Sequence, residues 1–370
     1  MTGNRWARCP RPVCRSVVYR LLPTQRQEAS LLSLLKVTRD VHNAALEERI
    51  GAWKWERRAV TRFDQFRSLT GATDVIPGLT QFGLRPFRGS LVRLDLAFQG
   101  FFHRCKNGGT PGFPRFRGTG SWDAIRYNEP QSWKLASTGS YGRLYLQGVG
   151  HIKVKTHRHL NGEPRSITVR RRGKRWEVAV QYRNLPVTQP TVPSFRVAAV
   201  DVGVVRLATV SWVDIVTGEQ GGEVVPSLQP RKKAADLLEE ADAALGRCKR
   251  GSKRRARVMA LRASRHHRVA NQRKNTCHQV SRMLASYGVI GFEKLSIQRM
   301  TKSAKGTTEK PGKNVAAKSG LNRAGLDSGW GMLRQFTTYK GESAGWMVLE
   351  VNPRYSSQES ARLGSPARND

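Results

Sequence analysis

At 370 residues the chain is long enough for two or three domains, each with its own core. Its 65 Lys and Arg against 27 Asp and Glu give a formal net charge of +38, a self-repelling field that calls for a polyanionic partner, and nucleic acid is the polyanion that fits. No apolar run approaches the ~20 residues that span a bilayer, and the start of the chain carries neither a signal segment nor a lipidation motif, which leaves a cytoplasmic, nucleoid-associated protein as the expectation.

Five scattered cysteines (Cys9, Cys14, Cys105, Cys248, Cys277) suit a reducing compartment, and Cys9 and Cys14 lack the second Cys or His pair that a zinc site requires. From Cys14 to Leu22 the residues alternate as in a strand, and Pro23-Thr24 then opens a helix with Thr24 as its N-cap. Leu31, Leu34, Leu35, Val41, Ala45 and Leu46 give that helix a buried stripe. A second helical hairpin is expected over Leu79 to Arg104, its apolar face made by Leu91, Leu94, Ala97, Phe98, Phe101 and Phe102. Trp53, Trp55 and Trp176 read more readily as core residues than as platforms for bases.

The next stretch, Asn107 to Arg126, is broken by glycines and prolines and interleaves Phe113, Arg115, Phe116 and Arg117, which suits base stacking combined with phosphate contact; a solvated loop has the same composition. Short alternating runs at Gly142 to Leu146, His151 to Lys155, Ser166 to Arg172 and Arg175 to Tyr182 read as antiparallel strands of a small barrel. Three prolines make Leu185 to Phe195 the linker. Strands at Val197 to Val200, Arg206 to Val213 and near Val224 then open an RNase H-like sheet. A basic helical hairpin follows over 232–287, broken at Gly251-Ser252. Its one-signed charges, Lys232, Lys233, Lys253, Arg254, Arg255, Arg273 and Lys274, favour a track for phosphates over a merely solvated face. Val289 to Phe292 is a strand, Met300 to Arg323 is polar and reads as mobile, and a helix at Trp330 to Gly341 and a strand at Trp346 to Val351 follow.

Two carboxylates stand where strands end. Asp201 closes Ala198-Ala199-Val200 ahead of Val202-Gly203, and Glu293 closes Val289-Ile290-Gly291-Phe292. Converging carboxylates from separate strands are what hard divalent cations need for phosphodiester chemistry, although either residue alone is also an ordinary turn residue. A transposase using a Tyr nucleophile and a His pair is the competing chemistry, but His266-His267 lack the intervening residue that would aim both rings at one metal.

At this point the sequence resembles the TnpB/OrfB family, transposon-encoded relatives of type V CRISPR effectors. The resemblance runs through Tyr19-Arg20-Leu21-Leu22-Pro23-Thr24, Gly112-Phe113-Pro114-Arg115-Phe116, Val200-Asp201-Val202-Gly203, Gly291-Phe292-Glu293-Lys294-Leu295 and Glu350-Val351-Asn352-Pro353-Arg354-Tyr355-Ser356-Ser357-Gln358. It implies an RNA-guided DNA endonuclease that uses Mg²⁺, with Asp201 and Glu293 as the first and second RuvC carboxylates, and with guide RNA and double-stranded DNA as partners. It implies a fold of mixed α+β and α/β class. Residues 1–190 would be a split β-barrel (about 1–22 and 125–190) with a helical insertion (about 24–120), and residues 191–370 a RuvC/RNase H-like mixed-sheet domain. Arg354 and Tyr355 are further candidate nucleic-acid contacts. The family continues after Gln358 into two Cys pairs and a last Asp, whereas this chain reads Glu359-Ser360-Ala361-Arg362-Leu363-Gly364 and ends at Asp370. The expectation is therefore an incomplete C-terminus with no zinc and an impaired nuclease, the alternatives being a nuclease-dead RNA-guided binder or repressor and a decayed transposase fragment.

Overall fold

The computed structural model describes residues 14–73, 75–173, 175–185, 195–307 and 309–352. The chain divides into two compact units, Met1–Pro186 and Val187–Asp370, of mixed α and β structure. The expected linker falls almost wholly outside the described residues, as do Arg354, Tyr355 and Asp370.

The first unit begins with β1 (Arg15–Leu22), followed by helices α1 (Gln25–Glu56), α2 (Arg62–Gly71), α3 (Pro77–Phe82) and α4 (Arg85–Lys106). Six strands complete it: β2 (Ala124–Tyr127), β3 (Trp133–Thr138), β4 (Tyr141–Leu146), β5 (Gly150–Lys155), β6 (Glu163–Arg172) and β7 (Arg175–Arg183). Thr24 caps α1 as expected, through a reciprocal pair in which its hydroxyl accepts from Gln27 N–H and the Gln27 side chain accepts from Thr24 N–H. The strands form one antiparallel sheet in the order β2-β6-β7-β1-β5-β4-β3, so the first strand of the chain lies at its centre, with the four helices following it in sequence. Leu31, Leu34 and Leu46 of α1, Phe87, Leu91 and Leu94 of α4, and Val178 and Val180 of β7 belong to one apolar cluster. Trp176 is buried in it and donates its indole N–H to Glu28. Gly89 lets α4 lie directly on β2: a Cβ there would stand 2.0 Å from the Arg126 carbonyl oxygen.

The second unit holds β8 (Arg196–Asp201), β9 (Arg206–Asp214), β10 (Gln220–Pro226), α5 (Pro230–Lys233), α6 (Ala235–Gly246), α7 (Lys253–Leu284), β11 (Val289–Glu293), α8 (Ile297–Met300), α9 (Val315–Ser328), α10 (Trp330–Ala344) and β12 (Met347–Val351). Its sheet runs β10-β9-β8-β11-β12. β9 runs antiparallel to both β10 and β8, and β8, β11 and β12 are parallel. Cys277, Val280 and Leu284 of α7 and Leu333 of α10 share a core with Ala198, Val200, Val210, Ile290 and Phe292, which fixes the covered face of the sheet.

Two expectations need correction. Trp53 and Trp55 are 56% and 78% exposed, because they lie beyond the last core turn of α1. The polar run expected to be mobile carries α9, which is tied back by Lys318 Nζ to Met300 O and by Asn322 Nδ2 to Thr301 O. The Gly251-Ser252 break separates α6 from α7, with Ser252 capping α7 through Arg255 N–H, and the short α5 precedes the pair.

Candidate functional site

Asp201 and Glu293 converge through register. Val200 pairs with Phe292 across the parallel β8 and β11, so the next residue on each strand is Asp201 beside Glu293, on strands about 4.8 Å apart. Val200 and Phe292 are buried in the core face, and the alternation of side chains along a strand turns both carboxylates to the opposite face. Asp201 is exposed and Glu293 half-buried, and both stand at the carboxyl ends of parallel strands, where open sheets of this kind place their ligands. The turns beyond them are fixed. Gly203 N–H donates to Arg206 O, Trp330 at the head of α10 donates its indole N–H to Gly203 O at 3.0 Å, and Lys294 N–H donates to Val351 O at 2.8 Å.

A pair of adjacent carboxylates is a hard-oxygen donor set. It fits a cation such as Mg²⁺, which commonly takes one or two protein carboxylates and fills its remaining positions with water and substrate phosphate. Among the described residues no group of three or more His, Cys, Asp or Glu side chains gathers at ligand spacing, so His266 and His267 do not build a metal centre there. His267 instead meets the Asn271 side chain one turn along α7.

The basic residues sort into two groups. Lys232, Lys233, Lys253, Arg254 and Lys274 are exposed, and no ion pair among the described residues engages them. Lys253 and Arg254 crowd the positive end of α7, where no acidic residue offsets them and a phosphate would. Arg255 and Arg273 are committed within the protein. Arg255 donates to the Leu245 carbonyl in the last turn of α6 and to the Cys248 carbonyl just beyond it. Arg273 holds the buried Asp327 at 2.6 Å and also donates to its carbonyl, while Asp327 accepts the backbone N–H groups of Arg231 and Lys232 at the start of α5. Asp327 thus locks α5, α7 and α9 together. Asp327→Ala should cost about 3–5 kcal/mol, because it strands a largely buried guanidinium and the α5 N–H groups. Urea unfolding would measure it, and a loss under about 1 kcal/mol would contradict the role.

In the first unit the Phe113 to Arg117 loop is anchored. Asn43 brackets Arg117 through both of its backbone groups, and Phe113 sits edge-on to Phe98 and Phe101. Arg115 and Phe116 are left pointing to solvent, Phe116 at 56% exposure. Sequence reasoning missed a larger aromatic and basic surface: exposed Trp53 and Trp55 lie under Arg57 and Lys54, and exposed Phe63 under Arg62. Its signal was present in Trp53-Lys54-Trp55, because two tryptophans flanking a lysine at the end of a helical stripe cannot both face a core.

The OrfB_IS605 family model, described as "Probable transposase", matches residues 177–304. That family's helix-turn-helix model matches 13–58, where the structure has β1 and the single helix α1, and the Cas12f1-like TNB domain model matches 330–369. The chain is 33% identical over 286 residues to "Putative RNA-guided DNA endonuclease InsQ" of Escherichia coli (strain K12), an alignment covering 77% of this chain and 66% of that protein. A Streptomyces pristinaespiralis protein with the same description apart from the InsQ name is 26% identical over 335 residues, covering 89% of this chain and 75% of that one. In architecture the chain is similar to Cas12f1 in a cryo-EM structure of the Cas12f1–sgRNA–target DNA complex, with a TM-score of 0.59 at 10% identity over 96% of this chain and 92% of that one. No helix among the described residues is long and apolar enough to cross a membrane.

Proposed function

We propose a function from the premise that this chain belongs to the TnpB/OrfB (OrfB_IS605) transposase family: it is an RNA-guided DNA-binding protein whose Asp201 and Glu293 form a divalent-cation site of RuvC type. The observation that carries the reading is the pairing of Asp201 with Glu293, side by side at the carboxyl edge of a sheet ordered β10-β9-β8-β11-β12, as an RNase H-like core requires. In this reading the seven-stranded sheet is the split barrel, α1 to α4 are its helical insertion, and together they take guide RNA and read the target flank.

Asp201 and Glu293 would hold Mg²⁺. When bound, the ion supplies charge neutralisation at a phosphoryl oxygen and an activated water. The chain's own residues do the rest. Exposed Lys232, Lys233, Lys253, Arg254 and Lys274 attract the strand, and Trp330 holds the loop after Asp201 so that the carboxylate keeps its aim. With no metal present the two carboxylates repel phosphate, so they contribute to chemistry and not to affinity.

The test is capture of double-stranded DNA by the full chain purified with its bound RNA. Capture should be sequence-selective, and RNase treatment should abolish that selectivity while leaving weak, salt-sensitive DNA binding. Selective capture that survives complete RNA removal would overturn the guided reading.

A further inference from the structure

Between α2, α4 and the strands β2, β6 and β7 lies a cleft of about 500 Å³, large enough for one nucleotide. Its wall carries Phe63, 62% exposed, and Phe66, which meet edge to face at 6.1 Å. Five arginines reach it from four separate stretches of chain: Arg62, Arg85, Arg88, Arg126 and Arg165. Two are neutralised, Arg62 by Asp95 at 3.7 Å and Arg85 by Glu129 at 3.2 Å. The other three have no carboxylate partner among the described residues. Arg88 lies over the Phe66 ring, and its buried Nε meets no hydrogen-bond acceptor there, while Arg126 and Arg165 stand exposed at the mouth. Beyond the contact of Arg88 with the Phe66 ring, folding gains little from placing three guanidiniums without carboxylate partners around one cleft. A ligand with several anionic oxygens and a flat aromatic face would satisfy all of them.

We propose that this cleft binds one unpaired nucleotide of a nucleic-acid strand, its base stacked on Phe63 and its flanking phosphates held by Arg88, Arg126 and Arg165. An acidic peptide would use the arginines and leave the aromatic wall idle. A duplex would present no free base face to Phe63. Both single-stranded RNA and single-stranded DNA carry the required chemistry, and Asn128 lines the cleft with a polar side chain able to meet a sugar hydroxyl, beside Ser166, whose hydroxyl donates to Gln181. The inference rests on the nucleic-acid reading above and assigns it a pocket.

The experiment is fluorescence anisotropy of a labelled single-stranded RNA, and separately a single-stranded DNA of the same sequence, with the full chain across a salt series. Phe63→Ala should weaken binding about tenfold with the salt slope unchanged, and Phe63→Trp should restore it. Arg126→Ala and Arg165→Ala should each lower the salt slope by about one. A larger Phe63→Ala loss on RNA than on DNA names RNA as the source of the nucleotide, and the reverse names DNA. If the parent chain binds and all three variants match it, the cleft inference fails while the nucleic-acid reading stands. If the parent chain binds neither strand, both fail. Phe63 is exposed and Arg126 and Arg165 make no ion pair, so circular dichroism melts of these variants should match the parent, and a lost melt would instead assign them a structural role.

Discussion

Affinity for RNA should fall by about 10³-fold or more between 50 and 200 mM salt, because six to ten phosphate contacts each release counterions. The residues available for such contacts are the exposed cations that the fold does not use: Arg115, Lys232, Lys233, Lys253, Arg254, Lys274, Arg126 and Arg165. The structure makes the expectation residue-specific. Lys253→Ala and Arg254→Ala should each reduce the slope of log affinity against log salt by about one. Arg273→Ala should leave the slope unchanged and lower stability instead, since its guanidinium is bound to Asp327. Filter binding of a defined RNA at five salt concentrations would read both. A flat salt dependence would refute an electrostatic interface, and an Arg273 variant that alters the slope without altering the melt would refute its structural assignment.

The contrast between Arg254 and Arg273 also shows where sequence ran out. A charge run reveals which residues are cationic and nothing about the acceptors that folding brings to them. Arg273 finds Asp327 54 residues away, and Arg255 finds the end of α6. Local signals were legible: Thr24 marked the N-cap of α1, the Gly251-Ser252 break marked the approach to α7, and apolar alternation located β4 to β11 apart from their exact ends. Strands β2 and β3 were missed. β2 has only four residues, at a sheet edge, and β3 is interrupted by polar residues. The carboxylate pair was legible because both residues close apolar runs, and strand order converts that into neighbourhood. The Phe63 cleft was not, because its arginines come from positions 62 to 165 and only the packing of α4 on β2 gathers them.

Replacing Asp201 is the sharpest test of the carboxylate pair. Changes to outer-shell partners of a metal ligand already cost about 10–100-fold in affinity or activity, so Asp201→Ala, which removes a ligand outright, should weaken Mg²⁺ binding, and any DNA cleavage that depends on it, at least 100-fold. Glu293→Ala should behave alike, since the two carboxylates serve one ion, and the double variant should lose little more than either single one. RNA affinity should move by less than twofold, because an exposed carboxylate contributes no attraction to phosphate. Direct metal binding, read as Mn²⁺ relaxation or calorimetry on the RNA-bound chain, separates the remaining possibilities. Metal binding that needs both residues, with or without measurable cleavage, supports the site. Metal binding or cleavage that survives both substitutions would place the chemistry elsewhere, and a drop in RNA affinity would make Asp201 a structural residue of β8.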